Sequence, residues 1–149
     1  MRKHGGFTLI ELLIVIAVIA TLAAVLILPV TTARKRAQNS GAQTFARQVA
    51  GYVESYLSNP LNSVAKLTGG NVAGSHAECS AADGGALQGE GLSSTYPAPV
   101  EANSCFIVND GNGGYGIQVQ AATKTYWTIY NGLIKEQASD KSSTDPATW

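Results

Sequence analysis

The sequence is short of the residues that do chemistry. It holds two cysteines and two histidines among 149 residues. His4 and His76 stand far apart, and Cys79 and Cys105 lack the close spacing of a zinc site, so no metal centre is expected. There is no Gly-x-Ser-x-Gly, no histidine pair with a carboxylate, and no glycine-rich loop ending in Lys-Ser or Lys-Thr. A catalytic role and a bound cofactor are therefore not expected. Charge is also scarce, at 13% of residues, and sums to zero.

The few charges are unevenly placed. From Gln48 onward there are four Lys and nine Asp or Glu, a balance of −5 (4 − 9). That excess argues against broad nucleic-acid contact by this region. The basic residues gather early, at Arg2, Lys3, Arg34, Lys35, Arg36 and Arg47. Arg34-Lys35-Arg36 reads as a collar at a membrane interface, with contact to DNA or anionic lipid as the alternatives.

Between Phe7 and Val30 the sequence is nearly all apolar, broken by one acid, Glu11. As a helix these residues would span ~36 Å, more than the ~30 Å hydrocarbon core of a bilayer. The run is too long for a cleavable secretory signal, and Ala23-Ala24 leads into further apolar residues. A retained anchor is expected. An ionised acid at mid-bilayer depth costs roughly 2.5–3.5 kcal/mol. Glu11 therefore calls for a partner charge, unless it snorkels to the interface.

Lysine and arginine counts on the two flanks would place the larger region inside. It is nonetheless expected outside, which its Gly/Ser/Thr/Asn-rich composition, its two cysteines and the leader described below support. In an exported domain, Cys79 and Cys105 are expected to pair, the alternative being two buried thiols. Closing a loop of about 27 residues stabilises by roughly 3–3.5 kcal/mol.

Gly6-Phe7-Thr8-Leu9-Ile10-Glu11-Leu12-Leu13-Ile14-Val15-Ile16-Ala17 resembles the N-terminal signature of type IV pilins and type II secretion pseudopilins. The likeness covers about two dozen residues and not the globular part. It implies that a prepilin peptidase cuts between Gly6 and Phe7 and methylates the new amine of Phe7. It also implies that Glu11 faces the N-terminus of a neighbouring subunit, acting in assembly. Gly6 suits the cut because a backbone without a side chain can be approached closely. The family usually carries Ile-Pro after Ala-Ala-Val-Leu. Here the order Ala23-Ala24-Val25-Leu26-Ile27-Leu28-Pro29 moves the proline one place later. Pro29 lacks an N–H and crowds the carbonyl of Val25, so a helix break in the form of a kink or local melting is expected between about Ala20 and Pro29. In the family's filaments this region unwinds.

Past Pro29, the positions Ala42, Phe45, Ala46, Val49, Tyr52, Val53, Tyr56 and Leu57 follow helical spacing. The helix should stop near Ser58, before Asn59-Pro60. Residues 59–103 read as a connecting loop, with a short helix near Asn62 to Leu67. Strands follow at Cys105 to Val108, Tyr115 to Ala121, Thr125 to Tyr130 and Leu133 to Glu136. Alternation marks the second and Asn131-Gly132 marks a hairpin.

The expected fold is α+β: one long helix packed on a three- or four-stranded antiparallel meander, a pilin fold. Its parts are a cleaved leader (1–6), a transmembrane and assembly helix (7–30), an amphipathic continuation (31–58), the loop (59–103), the sheet (104–137) and a polar tail (138–149).

Three further features have bland and sharp readings. Asp110-Gly-Asn-Gly-Gly114 reads as a hairpin turn, because Ala121 stands where a calcium loop needs its bidentate acid. Asp140 and Asp145 could join a calcium site of the kind seen in major pseudopilins, although the tail is loosely patterned. Tyr126, Trp127 and Tyr130 read as core or interface aromatics, with stacking on bases or sugars as the alternative.

The resemblance implies a structural subunit anchored in the cytoplasmic membrane by one span, head outside, and later polymerised into an extracellular pilus. Motility, adhesion and DNA uptake are candidate fibre roles. The implied partners are copies of itself, a prepilin peptidase, the pilus assembly machinery and, before assembly, membrane lipid. Nucleic acid would be met only at the level of the fibre. The alternatives are a type II secretion pseudopilin, a minor pilin, and a membrane-anchored enzyme or binding module.

Overall fold

The computed structural model describes residues 6–149. Expectations that fall on residues 1–5, including most of the leader with Arg2, Lys3 and His4, lie outside the described residues. The chain divides into two units, with the boundary between Arg36 and Ala37. One helix, α1 (Leu9–Leu57), begins in the first unit and ends in the second.

In the first unit, the large apolar side chains of α1 from Leu9 to Ile27 that are described stand in solvent. α1 remains helical through Pro29. The helix is therefore continuous across Pro29 in the isolated chain. Proline removes a single donor from the ladder, and the remaining i to i−4 bonds can keep a helix together around it.

The second unit holds the sheet. Ala42, Phe45, Ala46, Val49, Val53 and Tyr56 of α1 are buried, while Arg47, Gln48 and Glu54 are exposed. This is the amphipathic face read from the spacing. α1 ends at Leu57, where Ser58 N–H still donates to the Glu54 carbonyl (3.0 Å) before Asn59-Pro60. A short helix, α2 (Val64–Thr68), is capped by Ser63, whose Oγ accepts from Lys66 N–H at 3.2 Å.

Five antiparallel strands make one sheet in chain order: β1 (His76–Glu78), β2 (Val100–Asn109), β3 (Tyr115–Ala121), β4 (Tyr126–Tyr130) and β5 (Leu133–Gln137). A 3-10 turn (Ala82–Gly84) and the one-turn helix α3 (Ala86–Gly89) lie between β1 and β2. The meander β2 to β5 matches the expected strands, and β1 is an additional one. It lies in the stretch read as loop because three residues carry no periodicity. Its pairing comes from β2, to which Ala77 and Glu78 align at Ile107 and Phe106. β2 also opens at Val100 rather than Cys105, with a register shift before Cys105.

One sheet face carries the rows Cys105–Val119–Trp127 and Ile107–Ile117–Ile129–Ile134. These residues join Phe45, Val49 and Val53 in a single core, with Tyr52 packed at its margin. The opposite face is covered by residues 138–149, which are more than a loose tail. Gln118, fully buried, donates to Asp140 Oδ1 at 2.7 Å and accepts from Lys141 N–H. A Cβ on Gly116 would overlap the Trp149 ring, so glycine leaves the space that the terminal indole fills. Trp149 Nε1 donates to Thr144 Oγ1 at 3.0 Å.

Candidate functional site

The candidate site is the start of α1. Gly6, Phe7 and Thr8 are non-helical and exposed, and Leu9 opens the helix. The Gly6–Phe7 peptide bond thus lies in open chain, and nothing stands within 4 Å of where a Gly6 side chain would begin. Among the described residues the site is open to solvent.

Thr8 and Glu11 lock this end. The Thr8 backbone N–H donates to Glu11 Oε2 at 2.9 Å, and the Thr8 hydroxyl donates to the same oxygen at 2.7 Å. In return Glu11 N–H donates to Thr8 Oγ1 at 3.3 Å. This is a reciprocal capping box, satisfying donors that a helix N-terminus otherwise leaves open. It also places the carboxylate at the positive end of the helix dipole. The sequence reading passed over Thr8, although Thr-x-x-Glu ahead of an apolar run is the signal for such a box. Glu11 is therefore held by its own chain before any partner arrives.

Beyond it, Ile10, Leu12, Leu13, Ile14, Ile16, Ile19 and Leu22 are each more than half exposed. α1 is long and apolar enough to cross a membrane by length and composition. Such a surface is stable only against lipid or other apolar surface.

The other singled-out residues lie in the second unit. Cys79 and Cys105 are joined in a disulfide, with Cα atoms 5.4 Å apart, and both are buried. Cys79 N–H also donates to the Cys105 carbonyl at 2.9 Å, where β1 leaves β2.

Asp110 serves its turn. Its Oδ1 accepts from the N–H groups of Asn112 and Gly114, both at 2.8 Å, and its Oδ2 accepts from the Tyr130 hydroxyl at 3.2 Å. Burial first, and then the Asp110 carboxylate, raise the Tyr130 pKa. Asp140 accepts from Gln118 and from Ser142 N–H (2.8 Å), and Asp145 caps the last turn through Ala147 N–H (2.9 Å). Partial burial opposes ionisation of Asp140, but the bonds from Ser142 and Gln118 outweigh it and hold its pKa below the ordinary value. Among the described residues, no group of three or more His, Cys, Asp or Glu could hold a metal ion.

Tyr126 and Tyr130 lie on the sheet face opposite Trp127, since neighbouring positions in a strand alternate. They do not make one stacking platform. Trp127 packs against the core, with its indole N–H buried and without a partner among the described residues.

Two comparisons with known proteins bear on the chain. The family profile "Prokaryotic N-terminal methylation motif" matches residues 1–27. The "Type IV wide pilus major component PilA4" of Thermus thermophilus is 52% identical over 56 residues, covering 38% of this chain. The matched stretch spans 43% of that protein's length. No solved structure matches the chain. Both likenesses point toward the type IV pilins, one through the methylation motif and one through a pilus component.

Proposed function

We propose that this chain is a structural subunit of a type IV pilus, made as a membrane-anchored prepilin and polymerised into a surface filament. The observation that carries the reading is the start of α1: an exposed apolar helix, capped by Thr8 and Glu11, behind an open Gly6–Phe7 bond. The match of residues 1–27 to the methylation motif supports it.

In this reading the helix first anchors the subunit in the cytoplasmic membrane, with residues 37–149 outside. A prepilin peptidase then cuts after Gly6 and methylates Phe7. The cut replaces a neutral amide by a cationic amine that did not exist before. Glu11 of a neighbouring copy supplies the opposite charge. Each charge alone is costly in an apolar bundle, and losing one partner of a buried pair typically costs about 3–5 kcal/mol. The pair therefore discriminates correct register from incorrect. The bonds from Thr8 leave the carboxylate oriented rather than free to rotate.

The apolar side chains serve two environments in turn, lipid and then the helices of other copies. Pro29 is the place where α1 gives way on assembly, because its carbonyl partner at Val25 is already without a proline N–H. Motility, adhesion and DNA uptake are roles of the assembled fibre.

The test is electron microscopy of fibres sheared from cells with and without this gene. Loss of fibres on deletion, with the chain found in fibres from unaltered cells, is expected. Fibres that persist without the chain contradict the reading.

A further inference from the structure

Arg34, Lys35 and Arg36 follow the apolar run of α1, and all three are exposed. Among the described residues none of them has an ion pair. Adjacent like charges repel one another, so this cluster calls for an anionic partner.

The three bases encircle the helix. Successive residues turn by about 100°, so the side chains fan over about 200° of its circumference. One flat partner on one side of α1 could not meet all three. A layer that surrounds the helix could.

Distance identifies the layer. Between Glu11 and Arg34 lie 22 residues without a charge (34 − 11 − 1). As α-helix they rise ~33 Å, close to the ~30 Å hydrocarbon core of a bilayer. With Glu11 at one boundary, the three bases reach the headgroup layer at the other. Their long stems can follow apolar surface while the charged ends stay among headgroups. Arg36 also shares a shallow groove with Pro29, Thr32 and Ala33, a seat beside the charge for the glycerol end of a lipid. A zwitterionic headgroup carries its own cation. Only an anionic one leaves a net charge to offset three bases.

We infer that Arg34, Lys35 and Arg36 bind the phosphates of anionic phospholipid in the leaflet on the side of residues 37–149. The inference rests on the pilus reading, which anchors α1 in a membrane with those residues outside, and adds a lipid class to it. It also accounts for a Lys and Arg count that opposes this orientation. Anionic headgroups neutralise the bases on the side where positive charge is usually scarce.

The test uses the full-length chain, fractionated with membranes and then taken into detergent. Phosphatidylglycerol and phosphatidylcholine are offered in equal amounts. Lipid retained per chain after gel filtration is quantified by mass spectrometry. Phosphatidylglycerol should be retained about tenfold over phosphatidylcholine, the scale expected of a few bases at an anionic surface. With Arg34→Gln, Lys35→Gln and Arg36→Gln combined, that ratio should fall at least about fivefold. Glutamine keeps the helix propensity and removes the charge. Arg47→Gln, in the second unit, should leave the ratio as in wild type. Equal retention of the two lipids, an unchanged ratio in the triple variant, or an equal loss with Arg47→Gln overturns the inference and leaves the pilus reading standing. Short duplex DNA that displaces phosphatidylglycerol at about 0.15 M salt also overturns it. If the triple variant fails to fold, salt decides. At about 1 M salt, where screening acts within ~3 Å, the wild-type preference should disappear, and a preference that persists overturns the inference. A chain recovered free of membrane on fractionation removes the pilus reading, and this inference with it.

Discussion

Tyr56 donates to Asp83 Oδ2 at 2.7 Å, joining α1 to the turn after β1, and Lys66 Nζ lies 3.3 Å from the same oxygen. Burial, and then the carboxylate beside it, push the Tyr56 pKa up to about 12. The Tyr56 hydroxyl, followed by Lys66, lowers the Asp83 pKa against the opposing effect of burial. The signs follow from linkage. The Asp83 contribution is present above the ordinary carboxylate range and is lost as pH falls through its lowered pKa. The Tyr56 contribution is full below pH 10 and is lost as pH rises through about 12. Tyr56→Phe should therefore flatten both limbs of a plot of thermal midpoint against pH; an unchanged plot would contradict the pairing. At the other end of α1, Thr8→Ala should cost the first turn about 1 kcal/mol. Amide exchange of the first turn in detergent measures that loss. The capping box could be read from four consecutive residues. The Tyr56–Asp83 bond could not, because its partners are 27 residues apart and meet only after the sheet has formed.

Among the elements, the disulfide and β1 stand together. With both cysteines changed to serine, the second unit should lose roughly 3 kcal/mol by the chain-entropy account. A lower urea midpoint and early exchange of the amides of β1 would report it. β4 and β5 were legible because Asn131 and Gly132 take the positive φ values, 50° and 76°, that a tight hairpin demands. β1 was not legible, since three residues become a strand only when β2 supplies the partner. The cover formed by residues 138–149 was equally hidden. It depends on the space above Gly116, a contact between residues 33 positions apart (149 − 116). Gly116→Val should push out the Trp149 ring and cost about 1–3 kcal/mol, as overpacking does. A red shift in tryptophan emission would mark the displaced indole.

For the whole molecule, the central fact is an amphiphile: an exposed apolar stretch of helix and a disulfide-closed, net acidic sheet domain. The apolar stretch was legible from composition alone. In the proposed function that stretch meets lipid first and other copies of the chain afterwards. Glu11→Ala separates the two stages. The apolar anchor is untouched, so membrane fractionation should be normal, whereas fibre yield should collapse because the cationic N-terminus of the neighbour loses its partner. Normal fibres from that variant would contradict the pairing. The most direct measurement is the intact mass of the subunit recovered from sheared surface fibres. The account predicts a chain that begins at Phe7, carries one added methyl group and retains the disulfide. A fibre subunit that keeps residues 1–6, or begins elsewhere, would contradict it.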